Sequence, residues 1–157
     1  GGTASCVPAP EARDELVALT DSFFDGVGFV GLASMEYKRD TRDGRFYMVE
    51  PTVGRTDYQE EIATLNGVNI PFAAYCGELG RQFPDEARVD PPRAWRDPIG
   101  SHRARQVGAS VEISQIVPTA KICDAYFRLS DPGPYARMKY ESLSRRLSRI
   151  RTHQEHL

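Results

Sequence analysis

The segment Asp40-Thr41-Arg42-Asp43-Gly44 constrains this chain most. It lies between two runs, residues 29–39 and 45–50, that read as strands. Asp-Gly supplies the positive φ that a tight hairpin needs. A hairpin centred on Asp43 puts Glu36 seven residues before the centre and Glu50 seven after it. The two glutamates then face each other. Directly opposed Cβ atoms lie about 4.5–5.5 Å apart, and like charges there are destabilising. Strand alternation predicts Ser34, Glu36 and Lys38 on one face of the first strand. It predicts Phe46, Met48 and Glu50 on the same face of the second.

Two opposed carboxylates call for compensation. A divalent cation is one answer, and an oxygen-only donor set favours Mg²⁺ over zinc. The other answer is plainer. Both glutamates sit in water, or pair with Lys38 and Arg55 as surface charges commonly do.

The rest of the chain reads as mixed helix and strand. Ala12, Leu16, Leu19, Thr20 and Phe23 recur at helical spacing, which predicts an amphipathic helix over residues 11–24. Residues 51–56 read as an irregular loop. Residues 57–65 read as a short helix closed by Asn66-Gly67, and residues 72–79 as another after Pro71. Residues 80–105 are rich in proline, arginine and aspartate, and read as loops and extended segments around Trp95. Residues 111–116 read as a strand, and residues 118–127 are ambiguous. Asp131-Pro132-Gly133-Pro134 reads as a turn. Leu143, Leu147 and Ile150, set among arginines, predict a terminal helix over residues 140–154.

Composition excludes several classes. With 40% hydrophobic and 27% charged residues, this is no disordered tail. No window approaches eighteen apolar residues, so no membrane-spanning helix is expected. Twenty Lys and Arg against twenty-two Asp and Glu argue against a dedicated nucleic-acid binder. Cys6, Cys76 and Cys123 are far apart, odd in number and without a C-x-x-C pair. They read as reduced thiols in a cytoplasmic protein. His102, His153 and His156 show no metal-ligand spacing. No G-x-x-x-x-G-K-[ST] loop is present.

Gly31 to Glu36, the hairpin, and Glu50-Pro51-Thr52-Val53-Gly54-Arg55 together resemble the C-terminal lobe of the ATP-grasp superfamily. Gly1-Gly2-Thr3-Ala4-Ser5, leading into Cys6-Val7-Pro8, resembles the strand before that lobe's last helix. Leu65-Asn66-Gly67-Val68-Asn69-Ile70-Pro71 resembles the turn after its metal loop. The likeness is nearest to the D-aspartate-ligase-like carboxylate–amine ligases and covers about the first half of the chain. The Asp131-Pro132-Gly133-Pro134 run resembles that branch's tail more weakly.

The resemblance implies an α+β fold, an antiparallel sheet with helices packed on one face. Residues 1–79 would be part of the lobe, and residues 80–157 an irregular and helical extension. It implies Mg²⁺-dependent, or Mn²⁺-dependent, use of ATP to join a small carboxylate to an amine. Glu36 and Glu50 would be the metal ligands beneath the ATP phosphates. Thr52 stands where the family carries a ligating asparagine. Arg55 stands one residue later than the family arginine, with Gly54 in that place. Lys38 would neutralise charge or contact the substrate carboxylate. Gly2, Thr3 and Ser5 would contact phosphate or serve as a small-residue strand edge. Asp57, Gln59 and Glu60 would orient Arg55, or Asp57 would cap the helix that follows. The lobe that holds adenine would lie upstream, so this chain is expected to have little activity by itself. Other readings stay open: a carboxylase or carbamoyl-phosphate type of ATP-grasp reaction, or a non-catalytic module. The module would bind partners through Arg145, Arg146, Arg149 and Arg151 on the last helix.

Overall fold

The computed structural model describes residues 5–57, 60–84, 89–109 and 112–154, with side chains as far as residue 145. The chain opens with a two-residue strand, β1 (Ser5–Cys6). Pro10 starts a 3-10 turn that runs into helix α1 (Arg13–Gly26). Proline suits a first turn because no N–H is needed there. Asp14 and Glu15 sit at the positive end of the helix dipole. The strand expected from residue 29 begins only at Ala33. Gly28 and Gly31 stand at φ 65 and 133, so the chain turns here before it extends.

Strands β2 (Ala33–Arg39) and β3 (Phe46–Val53) form the expected antiparallel hairpin. Its turn is tied by its own aspartates. Asp40 accepts the Arg42 backbone N–H at 2.8 Å, and Asp43 accepts that of Arg45 at 2.9 Å. The Tyr47 hydroxyl donates to Asp43 at 2.8 Å. Gly44 closes the turn at φ 74. Strand β3 continues through residues 51–53, where a loop is expected. Pro51 brings no N–H to the ladder, which is tolerated in a ribbon whose outer edge has no neighbour among the described residues.

Arg42, mainly through its side chain, holds the Asp40 carboxyl below the ordinary carboxylate range. The Arg45 N–H, and then the Tyr47 hydroxyl, do the same for Asp43. A depressed carboxylate pKa adds stability above the unfolded value, and that stability is lost as pH falls through the folded value. The turn is therefore expected to hold from neutral pH down to about pH 4 and to loosen below it. Carboxyl NMR titration checks this. Midpoints at or above the ordinary aspartate value would contradict it.

Beyond the hairpin come α2 (Glu61–Leu65) and α3 (Ile70–Glu78). The Asn69 side chain caps α3 by accepting the Phe72 N–H at 2.9 Å. The segment expected to be irregular then supplies β4 (Arg93–Arg96) and α4 (Pro98–Gln106), the latter capped by Asp97. Residues 113–116, expected as strand, form a single helical turn, α5 (Ile113–Ile116). Burial of Ile113 outweighs its β preference there. Strand β5 (Lys121–Asp124) and helix α6 (Gly133–Gln154) follow. Helix α6 begins inside the expected Asp131–Pro134 turn, because Pro134 fits a first helical turn.

The fold is α+β, but the single antiparallel sheet that was expected is divided in two. The hairpin is one sheet. The other has the order β1-β4-β5, with β4 antiparallel to β1 and parallel to β5. A strand from the second half of the chain thus lies at the centre of a sheet begun by Ser5. Asn66 reinforces that join. Its side chain donates to the Arg93 carbonyl and accepts the Arg93 N–H, both at 2.9 Å. Among the described residues, the buried hydrophobic groups are Ala12, Cys76, Ala94, Trp95 and Ile113. The accessible surface is 12215 Å², against about 7,900 Å² for a closely packed monomer of this mass. Much apolar surface therefore faces outward. No helix among the described residues is long and apolar enough to cross a membrane.

Candidate functional site

In the hairpin ladder Glu36 lies opposite Glu50, as expected, although the pairs beside the turn are centred between Arg42 and Asp43 and a register shift after Glu36 restores this pairing. The next pair outward on the same face is Ser34 opposite Thr52. A β-bulge follows Glu36 on the turn side, where Val49 is the extra residue of β3. Past it, Tyr37 pairs with Met48, Lys38 with Tyr47 and Arg39 with Phe46. The bulge corrects one expectation: Phe46 and Met48 do not share the face of Glu50. They share the face of Tyr37 and Arg39, and the Arg39 guanidinium lies 5.6 Å from the Phe46 ring centre. That second face meets α1, where the Tyr37 hydroxyl and Thr20 Oγ1 are 2.9 Å apart. Ser34, Glu36, Lys38, Glu50 and Thr52 therefore lie on the face turned away from α1.

Glu36, Glu50 and Lys38 are exposed, while Ser34 and Thr52 are half-buried. Ser34 Oγ donates to Asp57 Oδ2 at 2.8 Å. Asp57 is thus a third carboxylate on this face, and it does not cap α2, whose N-terminal residue is Glu61. Alternation places Ser34 beside Glu36, but no spacing in the sequence pairs it with Asp57. Gly54 closes the far end of the ribbon, where its N–H bonds the Leu32 carbonyl at 2.8 Å. Its φ of 73 swings the chain off the sheet and leaves Arg55 exposed.

Glu36, Glu50, Lys38, Thr52 and Arg55 make no side-chain hydrogen bond or ion pair among the described residues. Lys38 and Arg55 do not neutralise the glutamates there, although Lys38 shares their face. No group of three or more Asp, Glu, His or Cys among the described residues forms a metal cage. The donors on offer are two opposed carboxylates with a hydroxyl pair beside them. Mg²⁺ usually takes one or two carboxylates and completes its shell with water and substrate oxygens. The pair fits that habit and does not fit an all-protein zinc site.

Gly2, Thr3 and Gln59 lie outside the described residues. Ser5 lies in β1, opposite Arg96. Trp95 is a packing anchor, 2% exposed, with its ring N–H donated to Glu61 at 3.0 Å. A cleft of about 810 Å³ opens elsewhere, walled by Val7, Pro8, Pro10, Asn66, Pro92 and Val117. None of the five hairpin residues lines it. Its lining also holds the carboxylates Glu11, Asp14 and Asp90 and the cation Arg13, so the cleft and the paired glutamates of the hairpin are two separate polar places.

Gly54→Ala isolates the geometry of the site. A Cβ there meets no atom within 4 Å, so the cost is purely conformational. About 1–2 kcal/mol is expected, confined to the open end of the hairpin. Amide exchange at Gly54 should accelerate while exchange in β4 stays unchanged. Equal acceleration in both would refute the local reading.

Comparison with protein-family models, with curated proteins and with solved structures found no match.

Proposed function

We propose that this chain supplies the metal-holding hairpin of a cytoplasmic, Mg²⁺–ATP-dependent carboxylate–amine ligase of ATP-grasp type. The observation that carries the reading is the pairing of Glu36 with Glu50 on the face turned away from α1. Glu36 and Glu50 would hold Mg²⁺, with the Thr52 hydroxyl as a further oxygen. Bound Mg²⁺ would offset the charge of the ATP phosphates.

The reaction type accounts for the residue types. A substrate carboxylate attacks the γ-phosphate of ATP, giving an acyl phosphate and ADP. The amine then displaces phosphate and leaves an amide. Such transfer asks the protein for positioning and charge balance more than for a nucleophile. Lys38 and Arg55 are exposed cations without an ion-pair partner among the described residues, free to meet phosphate or carboxylate oxygens. Three free thiols suit a reducing compartment.

The test uses the complete open reading frame. ADP release is followed with Mg²⁺, ATP and pools of carboxylic acids and amines, for the wild type and for Glu36→Gln and Glu50→Gln. Turnover that needs both an acid and an amine, and that both variants abolish, supports the reading. Turnover that either variant leaves unchanged refutes the site. Turnover driven by bicarbonate without an amine replaces ligation with a carboxylase-type reaction.

A further inference from the structure

We infer that α6 is a docking helix for an acidic amphipathic helix of a partner protein. The inference is independent of the ligase reading. Ala136, Tyr140, Leu143, Leu147 and Ile150 follow one another at alternating steps of four and three residues along α6. That alternation is the 3.5-residue repeat of a helix–helix seam. Tyr140 is 73% exposed and Leu143 is 59% exposed, so this chain leaves the described part of the seam open. The base of the helix is anchored, with the Phe127 and Tyr135 rings packed edge to face at 5.2 Å.

Charge identifies the occupant. The helical positions that flank the seam carry Arg137, Lys139, Ser144, Arg146, Arg151 and His153, with no carboxylate among them. The one acidic residue of α6, Glu141, lies off the seam and is held by Arg137 and Arg145 at 3.0 and 3.2 Å. Six Lys and Arg against Glu141 leave α6 at a net +5, while the remainder of the chain carries −7. A second copy of α6 would set cation against cation along both flanks. A partner helix with Glu or Asp at its flanking positions would meet them with opposite charge. The apolar row is narrow, whereas a membrane-surface helix presents a broad apolar face rich in Trp, Phe and Leu. A nucleic-acid backbone offers phosphates but no groove for Leu143.

The experiment uses the full chain and a labelled synthetic peptide of three heptads, with Leu and Ile on its seam and Glu at its flanks. Binding is followed by fluorescence anisotropy from low to high salt. Saturable binding that weakens with salt is expected. Leu143→Ser should weaken it at least about tenfold. Arg146→Glu should weaken it several-fold at low salt and less at high salt. Leu143 is exposed, and circular dichroism verifies that both variants fold. A Lys-flanked version of the peptide should not bind. Equal binding of the two peptides, or no binding of the acidic one, overturns the inference. So does tighter binding to phosphatidylserine vesicles or to duplex RNA than to the acidic peptide. A dimer of the chain alone that Leu143→Ser dissolves would place a second copy on the seam, and also overturns it.

Discussion

Trp95→Ala is expected to lower the unfolding free energy by about 3–5 kcal/mol, the usual cost of truncating a large buried aromatic. Trp95 is 2% exposed and follows Ala94, which is fully buried, in the central strand of the three-stranded sheet. Few other large side chains share that core, so little can move in to fill the gap. The substitution also removes the ring N–H that reaches Glu61. Arg128 would then be the remaining partner of that carboxylate among the described contacts. Domains of this size are stable by about 5–15 kcal/mol, so the variant should sit close to unfolding. Trp95→Phe keeps most of the packing and loses the hydrogen bond, and should cost about 1–2 kcal/mol. Urea unfolding followed by far-ultraviolet circular dichroism compares the two without relying on the chain's one tryptophan. A loss below about 1 kcal/mol for Trp95→Ala would mean that the β4 core is not the main stabilising unit.

The hairpin was legible in the sequence and the central sheet was not, for identifiable reasons. Asp43-Gly44 is a local signal for the hairpin, but Glu36 meets Glu50 only because the bulge at Val49 shifts the register by one residue. The bulge at Val49 leaves no such mark, because nothing local distinguishes Val49 from a paired strand residue. Strand β4 reads Arg-Ala-Trp-Arg behind two prolines, with no useful alternation. Its strand character comes from partners far away in the chain, Ser5–Cys6 on one side and Lys121–Asp124 on the other. Ile113–Ile116 shows the opposite failure, β-branched residues drawn into a helical turn where Ile113 is buried. Asp57 was visible as a helix-capping residue type. Its use as the acceptor for Ser34 depends on how Gly54 redirects the chain, which spacing alone does not reveal.

Glu36→Gln should move stability and activity in opposite directions. Opposed like charges cost a hairpin about 0.2–1 kcal/mol, and the low end applies here because both side chains are exposed. Glutamine keeps the size and hydrogen-bonding reach of glutamate and removes one charge. The hairpin should therefore become slightly more stable, with slower amide exchange across β2 and β3 and an unchanged rate in β4. The same change removes a charged oxygen donor from the proposed metal pair. Ligase turnover in the complete protein should fall by a factor on the order of 10²–10³, the usual loss when a key electrostatic group is removed. Glu50→Gln should behave alike. The double variant should gain little further stability, since one substitution already relieves the repulsion. The two readouts together separate the ligase site from a plain pair of surface glutamates. A surface pair gives the small gain in stability with no loss of turnover. A pair bridged by Mg²⁺ gives that gain in metal-free buffer and loses it when Mg²⁺ is added, because only the wild type then gains a bound ion. Hydrogen exchange with and without Mg²⁺ reads this difference directly, before any substrate is known. If Mg²⁺ protects the wild-type hairpin no more than the Glu36→Gln hairpin, the glutamate pair does not hold the metal and the site assignment fails.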